Sequence, residues 1–287
     1  MTHETETVSR RLFLAGASRC ATGLGLIALL PRVHAEGATS AGAQTSTTAL
    51  AFDAARGALF KTGADAVLRS VDGGSHWTRL ELPPALAARR VSSVAVSAVE
   101  AKTLYVADSG FGVLRSDDQG RTWTARNEGL PDSDVTALAT HADRPETVYA
   151  YLRDKGIFRT EDGGGRWRLM DAGPRGGISS FVHSNMAGSM QSGWLFVAGP
   201  RGVQRSMDCF CGWRDAGGLG RVVSAVAYDP RVPADIYAAT ADGLFSSADG
   251  GEKWNPLKSP SVAFDALVVT PRRELVAATT AGGLYMG

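Results

Sequence analysis

Gly112-Val113-Leu114-Arg115-Ser116-Asp117-Asp118-Gln119-Gly120-Arg121-Thr122-Trp123 is the stretch that decides the fold. A short apolar run ends in Arg. Then come Ser, an Asp two residues later, and a Trp five after that. The frame recurs at Ser70, Asp72 and Trp77; at Thr160, Asp162 and Trp167; at Ser206, Asp208 and Trp213; and at Ser247, Asp249 and Trp254. Five of the six tryptophans in the chain therefore serve one pattern. A repeat at near-constant spacing fixes an architecture before any single residue fixes a chemistry.

Reading outward from each frame, a second apolar run lies upstream, as in Leu104 to Ala107, Val148 to Tyr151, Leu195 to Ala198 and Ile236 to Ala239. Upstream again is an alternating run, as in Val91 to Val96, Val135 to Ala139, Ile178 to Val182 and Val222 to Ala227. Runs of β-branched and aromatic residues between Gly, Pro and Asp clusters read as strands. With the strand that carries the Trp, each unit has four. Four-stranded units of about 40–45 residues are propeller blades. The expectation is an all-β, six-bladed β-propeller of four-stranded antiparallel blades over residues 47–287. The frame forms the hairpin between strands three and four of each blade. A seven-bladed ring and an open β-repeat array are the alternatives. The sixth unit begins near Val262 and stops before its fourth strand. Residues 38–47 are expected to supply that strand, so 36–46 reads as a linker or closing strand.

The frame has a structural reading. The Ser or Thr hydroxyl and the Asp carboxylate accept hydrogen bonds from turn N–H groups. Gly74, Gly120, Gly164 and Gly251 permit a positive φ. The Trp packs between strands. This resembles the Asp-box (bacterial neuraminidase) repeat, in which the box is structural and sits on the blade periphery. The resemblance implies turn-forming roles, not catalytic ones, for all fifteen frame residues named above. Sialidases share such boxes, but no Arg-Ile-Pro motif follows Ala35, and most tyrosines fall on repeating strand positions. No catalytic residue is assigned, and a glycan-acting enzyme or glycan-binding module is the alternative function. The unit Leu104–Trp123, LYVADSGFGVLRSDDQGRTW, is also similar to repeats of the photosystem II assembly and stability factor family. That resemblance implies an exported, non-catalytic propeller that binds partner proteins during assembly.

The first 35 residues read as a leader. Ser9-Arg10-Arg11-Leu12-Phe13-Leu14 matches the twin-arginine export pattern, an apolar run follows from Ala21 to Leu30, and Val33-His34-Ala35 suits cleavage. The apolar run is shorter than the ~20 residues a membrane span needs. Arg19 before Cys20 does not suit lipid attachment, so no stable membrane anchor is expected after cleavage. The expectation is a periplasmic or secreted protein. A net charge of +1 gives no reason to expect nucleic acid.

Two candidate sites emerge. In a propeller, the loops joining strands two and three share one end of the channel with the blade-to-blade connections. Arg90, Arg153, Arg175, Arg201 and Arg221 fall there, with Asp108 and Asp242 among them. Such a mixed-charge face suits a protein partner whose carboxylates pair with Arg forks. The second site is local to the fourth unit. Its frame carries Met207, Cys209 and Cys211, with Phe210 where its siblings have Gly, and His183 lies on the same blade. Those soft ligands would suit copper(I), though the spacing matches no standard metal template. A bridge between Cys209 and Cys211 and a pair of free thiols are the other readings. His76, His141 and His183 sit in three different units, so no histidine-centred site is expected. No phosphate-cradling loop or metalloprotease motif occurs, and no cofactor is expected.

Overall fold

The computed structural model describes residues 32–34, 47–63, 65–84, 89–100 and 102–287. Six four-stranded antiparallel sheets form the molecule. Blade one comprises β2 (Leu50–Asp53), β3 (Ala58–Thr62), β4 (Val67–Ser70) and β5 (Thr78–Leu80). Blade two comprises β6 (Ser93–Val96), β7 (Leu104–Asp108), β8 (Gly112–Ser116) and β9 (Thr124–Ala125). Blade three runs through β10 (Val135–Thr140), β11 (Val148–Leu152), β12 (Gly156–Thr160) and β13 (Arg168–Asp171). Blade four runs through β14 (Ser180–Ser184), β15 (Trp194–Gly199), β16 (Gly202–Met207) and β17 (Arg214–Asp215). Blade five holds β18 (Val223–Asp229), β19 (Val232–Thr240), β20 (Gly243–Ser247) and β21 (Asn255–Pro256). Blade six holds β22 (Phe264–Val269), β23 (Leu275–Thr279) and β24 (Leu284–Met286), with β1 (Arg32–His34) outermost. The first strands of successive blades contact one another all the way round, and β22 meets β2, so the ring closes. Among the described residues there is no helix long and apolar enough to cross a membrane.

Ring closure differs in its segment from the sequence expectation. The fourth strand of blade six is β1, paired Arg32 to Met286, Val33 to Tyr285 and His34 to Leu284. The expected segment falls almost wholly on residues 35–46, which lie outside the described residues; Thr47 is buried and in no strand. Val33 lies inside the twin-arginine-like segment of residues 1–35, and residues 38–47 carry mostly Ala, Ser, Thr and Gly, with no Val or Ile to mark a strand.

Second and third strands are buried on both faces, which is why they read as unbroken apolar runs. Tyr105, Tyr149, Phe60 and Phe196 are fully buried between neighbouring blades. The repeated frame closes the hairpin between strands three and four in blades one, two, three and five. Ser70, Ser116, Thr160 and Ser247 each donate a hydroxyl proton to the Asp two residues on, at 2.6–2.8 Å. The same oxygens accept the N–H of Gly74, Gly120, Gly164 and Gly251 at 2.7–2.9 Å. Two consecutive residues in these turns take left-handed φ, such as Gly73 at 70° and Gly74 at 89°. Glycine enters that region without a steric penalty.

Frame Trp and Arg side chains lock several blades to their neighbours. The indole N–H of Trp123, Trp167 and Trp254 donates to the carbonyl of Glu81, Arg126 and Ala216, one blade back. Trp213 donates to the Asp171 carboxylate at 2.8 Å. In the other direction, Arg115 and Arg205 donate to the carbonyls of Gly163 and Gly250 in the next blade's turn.

Candidate functional site

Antiparallel blades send the two-to-three loops and the blade-to-blade connections to one end of the ring. The one-to-two loops and the frame turns go to the other. The two ends carry different chemistry.

A cavity of about 400 Å³ runs between the six inner strands. At the end where these strands begin, Thr48, Ser92, Thr136, Ser179 and Ser224 hold equivalent places in five blades. Three of these hydroxyls donate to the next blade: Thr48 to the Val91 carbonyl, Ser92 to Val135 and Ser224 to Phe264. Pairing register slips at Thr136, Ser224 and Asp265, and a bulge of this kind re-aims a side chain. In blade six the place belongs to Asp265, a half-buried carboxyl. Burial pushes its pKa up, and Arg90 opposes the shift. Nothing in the sequence reading singled out this ring. Its signal was a Ser or Thr at one offset ahead of each apolar alternation.

Around the same mouth, Arg153, Arg175, Arg201 and Arg221 are exposed on a contiguous arc of blades three to five. Arg153 Nε lies 4.0 Å from Asp134 Oδ2. Arg221 donates to Asp242 at 2.9 Å and stacks over Phe245 at 5.2 Å from the ring centre. Arg90 is exposed on the connection between blades one and two. Asp108 departs from the expected picture. It is buried, its pKa is raised by burial, and Arg89 and the Gly110 N–H face it.

The opposite end holds a cluster that the sequence reading missed. His141 and His183 come from blades three and four and stack with ring centres 3.8 Å apart. The expectation that no histidine-centred site forms is corrected here: neighbouring blades put equivalent loops side by side. His183, Asp208 and His141 are all about 1% exposed. Ser192 accepts from His141 Nε2 at 2.7 Å and donates its hydroxyl to Asp208 Oδ2. The Ser192 N–H also reaches Asp208 Oδ2, at 3.0 Å. Burial opposes the Asp208 charge, but His183 and the Ser192 donors hold its pKa well below the usual carboxylate range. The His141 pKa is pushed down to about 3, chiefly by burial and then by His183.

His141, His183 and Asp208 present ligand atoms within 4.8 Å of one another, the residue types of a metal site. Their hydrogen bonds argue otherwise. His141 Nδ1 accepts the N–H of Asp143 and Arg144, at 3.0 and 3.2 Å, and His183 Nδ1 accepts that of Ala142 at 3.1 Å. An imidazole that accepts at Nδ1 carries its proton at Nε2, which makes Nε2 a donor. A metal-ligating His donates through its other nitrogen instead. The cluster is thus a donor chain in which His141 donates to Ser192 and Ser192 to Asp208, with His183 Nε2 3.8 Å from Asp208 Oδ2. Of the residues that would suit copper(I), Cys209 and Cys211 are bonded to each other in a disulfide, with Cα atoms 5.4 Å apart, and His183 turns into the seam with blade three.

A closed ring of six blades, locked by turn-to-turn contacts and carrying distinct polar chemistry at each end, defines a β-propeller. The chain belongs to the DUF6242 beta propeller domain family, which matches residues 33–215. Among solved structures, a GH74 enzyme from Niastella koreensis is 18% identical with a TM-score of 0.62, covering 84% of this chain and 45% of that one. The GH74 xyloglucanase from Xanthomonas campestris is 20% identical with a TM-score of 0.59, covering 85% and 45%. YCF48 bound to D1 peptide is 18% identical with a TM-score of 0.55, covering 85% and 93%. At these identities the likeness is one of fold. The chain spans about half the length of the GH74 enzymes it matches. No curated protein matches it by sequence.

Proposed function

We propose that this propeller is a non-catalytic binding or assembly scaffold, which takes an acidic protein segment at the channel mouth of blades three to five. The observation that carries the reading is the exposed arc of Arg153, Arg175, Arg201 and Arg221. A guanidinium fork matches a carboxylate bidentately, and a row of forks suits an extended acidic peptide. The YCF48 likeness supports it, since that structure holds a peptide and nearly its whole chain aligns with this one. Kinship with Asp-box repeats, twin-arginine export by residues 1–35 and a periplasmic or secreted location belong to the same proposal. A glycan-acting or glycan-binding module is the second reading, supported by the GH74 likeness.

Titration of fluorescent acidic and neutral peptides into the wild type and an Arg153→Ala, Arg201→Ala double variant tests the first reading. The expected result is salt-sensitive binding of acidic peptides, at least tenfold weaker in the variant. Equal affinity of both proteins for acidic and neutral peptides would sink it. Release of reducing sugar from xyloglucan would favour the second reading instead.

A further inference from the structure

We infer that the Cys209–Cys211 disulfide is an exchangeable redox site for a dithiol reductant, and that its state controls the turn lying over Ser192 and Asp208. The site stands at the opposite end of the ring from the proposed binding face and does not depend on it.

The frame of blade four cannot form the turn its siblings form. Their turns need two successive left-handed residues, and here those places hold Cys209 and Phe210. Only Phe210 enters that region, at φ 56°. A bulky residue there is uncommon and is held by its surroundings. Phe210 packs near Tyr149 and Trp213, with ring centres 6.2 and 6.5 Å away. The rest of the turn is rewired to match. Ser206 donates to the Met207 carbonyl, not to its Asp, and the Phe210 N–H reaches the same carbonyl. Asp208, released from its own turn, points inward to Ser192.

The bridge does not look like a structural staple. It spans a sequence separation of two, and so short a loop constrains the unfolded chain very little. Cys211 is exposed and Cys209 half-buried, and accessible disulfides are the labile ones. Beneath it, His183 Nε2, 3.8 Å from Asp208 Oδ2, and Asp208 Oδ1 are buried with no hydrogen-bond partner among the described residues. A turn fixed for packing alone would be expected to satisfy them. Instead the bridge holds one arrangement of an incompletely satisfied network.

The chemistry is ordinary exchange. A thiolate of the reductant attacks the Cys211 sulfur, the more exposed of the two. A mixed disulfide forms, the Cys209–Cys211 bond breaks, and its electron pair leaves on the Cys209 sulfur, which takes a proton. The reductant's second thiolate then attacks the mixed disulfide and releases Cys211, which is protonated in turn. The reductant gives up two electrons and two protons and becomes a disulfide.

Dithiothreitol titration of the native Cys20→Ser protein, read by maleimide labelling and mass, tests the site. Amide exchange at Ser192 reports the turn. The expected result is two labels per chain without denaturant, an unchanged far-ultraviolet spectrum, and Ser192 exchange at least tenfold faster. A Cys209→Ala, Cys211→Ala variant should show the faster exchange with no reductant. A bridge that resists dithiothreitol until the protein unfolds would overturn the proposal. So would Ser192 exchange that is the same in the oxidised, reduced and variant proteins.

Discussion

Arg115, on the third strand of blade two, donates to the Gly163 carbonyl in the turn of blade three, 3.3 Å away. The same guanidinium grips Glu146 at 2.5 and 3.0 Å and Asp117 at 2.7 Å. Arg205 repeats the arrangement toward Gly250 and Glu252. In blades two and four the arginine before the frame therefore serves the blade that follows. Ser246 holds this place in blade five, and blade six carries no such turn for it to reach.

Arg115→Ala should lower stability by about 1–3 kcal/mol, because the Gly163 carbonyl and two carboxylates lose a charged donor in a largely enclosed seam. Urea unfolding of the variant beside Arg153→Ala checks this. The Arg153 ion pair is exposed and long, and its loss should change stability by under about 1 kcal/mol.

Asp265 stands where five blades carry a hydroxyl, three of which stitch to the next inner strand. Its pKa is raised by burial, so its folded form favours the protonated state. A carboxyl raised in this way contributes stability below its unfolded pKa, which is lost as pH rises through the folded value. Asp265→Ser should therefore raise the melting temperature at pH 7, with the gain shrinking toward pH 4. Melting curves at the two pH values check the sign.

The repeat made the blades and their count legible, because strand runs, turn and Trp all pointed to one unit. Contacts between blades were less so. His141 and His183 are 42 positions apart and touch only because neighbouring blades align their loops. Asp208 looked like its four siblings, and its inward turn follows from Cys209 and Phe210 occupying glycine places. Asp108 read as a face residue, but its burial depends on how Arg89 folds over Gly110, which a linear pattern does not show.

Acid should destabilise the protein in two windows. The His141 pKa falls from 6.5 to about 3 on folding, so the unfolded chain binds a proton first, and stability is lost as pH falls below about 6.5. The carboxyls of Asp162 and Asp249 are held low, by Thr160 and by the Lys253 N–H respectively, and their contribution fades below the ordinary 3.8. Urea midpoints between pH 7.5 and 5 should drop for the wild type. His141→Asn should flatten that slope while lowering stability at every pH, since Ser192 loses its donor.

The closing strand gives the sharpest test of the fold. In the structure β1 covers β24, and a three-residue strand left bare presents unpaired N–H and C=O groups to solvent or to another chain. The neighbouring Trp77 Nε1 is buried without an acceptor among the described residues, while four other frame tryptophans donate to the blade before them. A protein beginning at residue 36 should therefore melt several degrees lower than the full chain and associate at high concentration. Replacing residues 36–46 by a Gly/Ser run of equal length, with 32–34 kept, should have a smaller effect. The reverse order of the two melts would assign closure to residues 36–46. It would also make leader removal after Ala35 compatible with a closed ring.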